Sequence, residues 1–269
     1  MQPLLNVENL VKRYDGKRLV ALQDELSALD GVSFSLFPAT TLAVVGESGS
    51  GKSTLALCLA CLEPPTAGCI WLEGKNLVAL GEAERRKVRP QIQLIFQDPA
   101  NSLNPRWNVL EILTEPLRLQ GKFNSEGIER RASCLLEQVG LSMHIATRSP
   151  AELSGGQRQR LAIARALAPG PKLLILDEAL SALDCSVQAQ IANLLMELQT
   201  SLGMTYLFIT HDLAMGAHVA DEIAVMHQGR IVELGPAEKI VTSPHHEMTR
   251  QLLAATPSIA QATRLAREP

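Results

Sequence analysis

The stretch Leu42-Ala43-Val44-Val45-Gly46-Glu47-Ser48-Gly49-Ser50-Gly51-Lys52-Ser53-Thr54 runs from a short apolar segment into the pattern GxxxxGK[ST]. The apolar residues read as a buried strand, and a helix is expected from Lys52 to about Cys61, broken by Pro64 and Pro65. Between strand and helix, the glycines let the backbone curl until several N–H groups face one anion. The helix start adds the positive end of its dipole. In such a loop Lys52 reaches the β- and γ-phosphates of a nucleotide, and the Ser53 hydroxyl holds Mg²⁺. A strand–phosphate loop–helix unit sets the class as α/β.

Strand patterns flank this unit. Leu4–Val11 and Gly31–Phe37 are expected before it, the second with Val32, Phe34 and Leu36 on one face. Ile92, Leu94 and Phe96 alternate with Gln91, Gln93 and Gln97 after it. Between about Asp98 and Ala168 strand signals stop. Trp107–Gln120, Glu126–Val139 and Gly155–Leu167 carry apolar residues at helical spacing, a helical insertion in an α/β chain. Strands resume at Leu173–Leu176, Tyr206–Ile209, Ile223–Met226 and Ile231–Leu234, with a hairpin turn at Gly229-Arg230. Ala237–Thr242 and Glu247–Ala255 read as helices, and the last dozen residues as a loose end.

Three further segments carry chemistry. Asp177 and Glu178 follow an apolar strand, where a Mg²⁺-holding carboxylate and a general base for the attacking water belong. His211 follows the strand Tyr206–Ile209, so a third strand end delivers a group able to hydrogen-bond a γ-phosphate oxygen. Leu153-Ser154-Gly155-Gly156-Gln157 begins as a capping box, yet places two glycines in the first helical turn, at about 1 kcal/mol each relative to Ala. Bare N–H groups there suit a second anion. The phosphate loop already serves this chain's own nucleotide, so the second tip is expected to serve a nucleotide held by another chain.

Composition removes other classes. The 269 residues carry 25 Lys plus Arg against 28 Asp plus Glu, a net charge of −3, with 3% aromatics. That balance excludes a nucleic-acid protein built on basic patches and stacking rings. The longest apolar run, Leu55–Leu62, is eight residues, against about 20 for a membrane span, and no signal-peptide pattern opens the chain. A cytosolic location is expected. Five cysteines fit a reducing compartment, and Cys58-x-x-Cys61 lacks the partners of a four-ligand metal site. The run Arg85-Arg86-Lys87 with Arg89 reads as a solvated helix face, and His245-His246 as an incomplete metal site.

Taken in order, the phosphate loop, Gln97, Leu153–Gln157, Asp177-Glu178, Ser181-Ala182-Leu183-Asp184 and His211 resemble the ATPase subunit of an ABC transporter over nearly the whole chain. The resemblance implies an α/β P-loop NTPase core of the RecA-like kind. It adds an N-terminal antiparallel β subdomain and a helical subdomain at about 98–168 that docks onto a permease. One ABC ATPase domain is expected over 1–242, with a family-specific tail at 243–269. In that family two ATPase subunits pair head to tail around two ATP molecules. Gly46 through Thr54 then bind ATP in cis, while Ser154, Gly155, Gly156 and Gln157 act in trans and Asp184 lies at the seam. Tyr14 matches the aromatic that stacks on adenine, although the Lys17–Glu25 insertion sets it further upstream of the phosphate loop than in shorter relatives. Asp177, Ser53 and Gln97 surround Mg²⁺, Glu178 activates water, and His211 and Gln97 sense the γ-phosphate.

Phe96-Gln97-Asp98-Pro99, Ser102-Leu103-Asn104-Pro105-Arg106 and the tail Ser243–Thr249 resemble the peptide/nickel importer branch. Ala179 stands where most members carry Pro, and the lack of cysteine after Cys185 argues against an iron–sulfur cluster. The resemblance implies a second ATPase subunit (a paralogue or the chain itself), two permease subunits, an external binding protein reached indirectly, and a place at the inner face of a membrane. The rival class acts mechanically on DNA or ribosomes. Such proteins carry a long coiled coil or two cassettes per chain; this sequence has one cassette and no sustained heptads.

Overall fold

The computed structural model describes residues 2–14, 27–97, 102–121 and 124–256. Along the chain run β1 (Leu5–Arg13), β2 (Ser27–Leu36), β3 (Thr41–Val45), α1 (Lys52–Leu59), β4 (Ala67–Leu72), β5 (Lys75–Asn76) and α2 (Glu82–Val88). Then come β6 (Ile92–Ile95), α3 (Val109–Gln120), α4 (Ser125–Gln138), α5 (Gly155–Leu167), β7 (Leu173–Asp177) and α6 (Cys185–Leu202). The last elements are β8 (Thr205–Thr210), α7 (Leu213–Val219), β9 (Glu222–His227), β10 (Arg230–Pro236), α8 (Ala237–Thr242) and α9 (Glu247–Ala254). They form two compact units, Met1–Lys87 with Tyr206–Pro269, and Val88–Thr205.

In the first unit β1 pairs antiparallel with both β2 and β4, setting Val7 opposite Phe34 and Ile70. These alternating apolar residues are buried and close one sheet face. A second strand set places β3 parallel between β8 and β9, with β10 antiparallel on β9. Every residue of β3 and β8 is buried, as a parallel strand covered on both faces requires. The β9–β10 turn is one residue earlier than the sequence suggests. Gln228 and Gly229 occupy it at φ 47° and 77°, and Arg230 is the first residue of β10. A two-residue hairpin of this twist needs positive φ at both central positions.

Helix α1 stops at Leu59, short of Cys61. Cys61 takes φ 56° and donates to Cys58 O, while Leu62 donates to Leu57 O. That double closure is a Schellman ending, with a cysteine where glycine is usual. Cys58 is buried, which pushes its thiol up to about 12 and leaves it unreactive at neutral pH.

The tail after β10 is clasped by one carboxylate. Glu233 accepts from the N–H groups of His245 (2.8 Å) and His246 (3.0 Å) and from the Thr249 hydroxyl. Burial by itself would raise this carboxyl, but these hydrogen bonds and His245 outweigh it and hold it below the usual range. The clasp is therefore intact at neutral pH and is lost only as the pH falls through that lowered value. Met248 of α9 joins Val45, Leu213 and Val225 in one apolar cluster.

In the second unit β6 and β7 run parallel, Ile92 beside Leu173 and Ile95 beside Leu176. Ile92 and Ile95 are the buried pair, and Phe96 lies beyond the strand end, 40% exposed, so the expected alternation through Phe96 fails. Helices α3, α4 and α5 pack on one another, α5 also reaching β6 and α6. Asn108 and Asn124 cap α3 and α4 with their side chains. The 18-residue α6 was not anticipated, although Ile191, Leu194, Leu195 and Leu198 bury one stripe of it. No described helix is long and apolar enough to cross a membrane. The Lys17–Glu25 insertion, Asp98-Pro99 and the final dozen residues lie outside the described residues.

Candidate functional site

Each unit presents chemistry at the carboxyl ends of its strands. In the first, β3 and β8 lie side by side with Val45 opposite Thr210. The residues that follow, Gly46 and His211, therefore leave the sheet as neighbours. Gly49 and Gly51 adopt φ 81° and 103°, left-handed turns that let the loop curl. A Cβ at Gly46 would collide with the Met226 carbonyl, and one at Gly51 with the Ala28 carbonyl and the Met226 methyl. The loop is also pinned from outside. Gly229 of the hairpin donates to Ser50 O at 3.0 Å, and its own carbonyl accepts from Asp30 N–H at 2.9 Å. Met226 and Gly229 were not foreseen as loop supports; the only signal was the turn glycine.

Lys52 is 5% exposed and folds back across the loop, donating to Gly46 O (2.8 Å), Glu47 O (2.7 Å) and Ser50 Oγ (3.4 Å). Ser53 and Thr54 continue α1, which starts on Gly51 with no side-chain cap. His211 is exposed, and the next residue, Asp212, caps α7 by accepting from Ala214 and Met215 N–H at 2.8 and 3.2 Å. Tyr14 follows β1, 43% exposed.

In the second unit Gln97 and Asp177-Glu178 come off adjacent strands. Asp177 is 8% exposed at the end of β7. Glu178 is a non-glycine residue at φ 48°, a conformation that costs about 1 kcal/mol or more unless its surroundings fix it. They do. Glu178 O accepts from Ser181 N–H (3.1 Å) and Ser181 Oγ (2.9 Å), and Gln97 Nε2 donates to that same Oγ at 3.2 Å. Ala179 and Leu180 are buried beneath. One serine thus ties Gln97 to the backbone that aims Glu178.

Ser154 caps α5 by a complete capping box. Its Oγ accepts from Gln157 N–H at 3.3 Å, and Gln157 Oε1 accepts from Ser154 N–H at 3.0 Å. The two glycines have different reasons. A Cβ at Gly156 would come within 2.8 Å of Val187 Cγ1, so packing of α5 on α6 already demands glycine there. A Cβ at Gly155 would meet only Leu183 Cδ2 at an ordinary 3.5 Å. Packing thus places no demand on Gly155, while Gly156 has a packing reason that the sequence reading missed. Asp184 begins α6 beside this tip without a side-chain cap.

Comparison with known proteins follows the same outline. A family model described as ABC transporter matches residues 29–181. The dipeptide transport ATP-binding protein DppF of Haemophilus influenzae is 46% identical over 259 residues, 96% of this chain and 79% of its own. The chain resembles cbiO1 of Clostridium perfringens, part of the cbiONQ ABC transporter complex, with TM-score 0.81, 29% identity and coverage of 98% and 100%. It also resembles the dimeric post-hydrolysis state of the ATP-binding cassette MJ0796 bound to ADP and Pi, with TM-score 0.76, 30% identity and coverage of 87% and 98%.

Proposed function

We propose, from the premise that the chain belongs to the ABC transporter family, that it is the ATP-hydrolysing subunit that powers a peptide-type importer. The observation that carries the reading is the loop Gly46–Ser53, curled by left-handed glycines at a strand end next to His211. Its curl and the buried Lys52 suit a nucleotide triphosphate. On binding, the Lys52 ammonium exchanges its loop carbonyls for β- and γ-phosphate oxygens. The donors suit Mg²⁺, which takes hard oxygens and shares its coordination with phosphate and water. Ser53 and Asp177 would hold it, with Gln97 nearby. Mg²⁺ held there would neutralise charge on the phosphates.

Glu178 accepts a proton from the attacking water as the water's oxygen bonds the γ-phosphorus and the ADP oxygen leaves. His211 donates a hydrogen bond to a γ-phosphate oxygen. The capped tip Ser154–Gln157 approaches the nucleotide of a second ATPase subunit, a paralogue or another copy, and Asp184 lies at that seam. ATP closes the pair and hydrolysis reopens it. The pair works on two permease subunits at the inner membrane face, and an external binding protein delivers cargo to those.

Glu178→Gln tests the assignment. With ATP and Mg²⁺ it is expected to bind nucleotide, lose turnover by about 10²–10⁴-fold and accumulate as a closed dimer. Hydrolysis near the wild-type rate would remove Glu178 from its role. The same protein should come out of solubilised membranes with two integral membrane partners; recovery with ribosomes or DNA would point to the mechanical class instead.

A further inference from the structure

Lys12 lies near the end of β1 and is 8% exposed, an unusual place for an ammonium. Removing a charge from water is costly unless partners replace the water. Two do so here: Glu63 Oε1 accepts at 2.5 Å and Pro64 O at 2.8 Å. Both acceptors belong to the segment just after the Schellman ending of α1. That segment is stitched to β1 by Thr66 N–H to Val11 O at 2.7 Å and by Arg13 N–H to Thr66 Oγ1 at 3.0 Å. The Glu63 hydrogen bond raises the Lys12 pKa and keeps the group charged at neutral pH.

An ammonium has three donors. Two are used on Glu63 and Pro64, and the third is left for the ring of Tyr14, whose centroid lies 4.9 Å from Nζ. This is cation–π distance. The ring is 43% exposed, so the contact fixes its plane and leaves ring surface open. A cation also draws π density from the ring, which makes the ring a better stacking partner for an electron-rich purine.

We infer that Lys12, braced by Glu63 and Pro64, is a positioning residue for the nucleobase, holding the Tyr14 ring ready to stack on the adenine of ATP. The inference rests on the reading of Tyr14 as the adenine contact. Lys12 does not touch the nucleotide; it acts through the ring.

The test measures binding of Mg²⁺–ATP and Mg²⁺–tripolyphosphate to the full chain by calorimetry, since tripolyphosphate carries the phosphates without the base. Lys12→Met is expected to weaken ATP roughly three- to tenfold while tripolyphosphate holds its affinity. Lys12→Arg, which keeps a cation able to stack on the ring, is expected to restore ATP to within about twofold. In a Tyr14→Ala background Lys12→Met should add nothing further. Equal weakening of both ligands would show that Lys12 braces the fold only and would overturn the inference. If Tyr14→Ala weakens ATP and Lys12→Met does not, the inference falls and the adenine contact stands. If Tyr14→Ala leaves ATP affinity untouched, the adenine contact falls, and the inference with it.

Discussion

Helix α1 opens after Gly49 and Gly51, both with left-handed φ, with a lysine folded over the loop and no side chain closing its first turn. Helix α5 opens on Ser154 with a full capping box, and its glycines lie inside the regular first turn. The first junction is a loop wrapped by left-handed glycines and pinned at Ser50. The second is a finished helix tip, with two amides already taken by Ser154 and Gln157 and space for a side chain at Gly155 but not at Gly156. A loop that encircles a phosphate can bind by itself. In the proposed pair, the capped tip contributes when another chain brings a nucleotide to it. The contrast is what a shared site between two chains requires, and each half can be broken separately.

The largest expected effect is at the wrapped loop. Gly51→Ala puts a side chain at φ 103° and against the Ala28 backbone carbonyl, which cannot step aside as a side chain would. Nucleotide binding should drop below detection in calorimetry, with stability falling by about 2 kcal/mol or more. Retained binding would mean that the loop's curl is not what grips phosphate. Next comes Gly155→Ala, which has room for its methyl and gains helix propensity. The isolated chain should melt no lower than wild type, yet hydrolysis by the assembled pair should fall by about tenfold or more. Wild-type turnover would leave the tip without its proposed anion.

The smallest effect separates the neighbouring glycine. Gly156→Ala pushes on Val187 and should cost about 1–3 kcal/mol in chemical denaturation, with Val187→Ala relieving it. An unchanged denaturation midpoint would return Gly156 to the anion explanation and make the two glycines alike.

Much of this was legible beforehand because the signals are local. GxxxxGK[ST] fixes a backbone path through residue types that few other conformations favour, and a capping box needs only Ser154 and Gln157 at the right spacing. Apolar runs marked β3, β7 and β8 for the same reason: a strand buried on both faces leaves an unbroken stretch in the chain. Helix α6 carries its stripe openly in Ile191, Leu194, Leu195 and Leu198. Phe96 was misplaced because alternation cannot say where pairing with β7 stops.

Residue order alone determined which side chains could meet phosphate, hold a proton or cap a helix, since those are properties of residue type and short spacing. Only the tertiary structure decided that Ser181 binds Gln97 to the Glu178 carbonyl, that the β9–β10 hairpin pins Ser50, that Val187 claims Gly156, and that Lys12 lies under Tyr14. All but the last join residues brought together by strand pairing or helix packing, and the last needs Glu63 and Pro64, from another element, to hold Lys12 in place. No one-dimensional period records a contact between two elements.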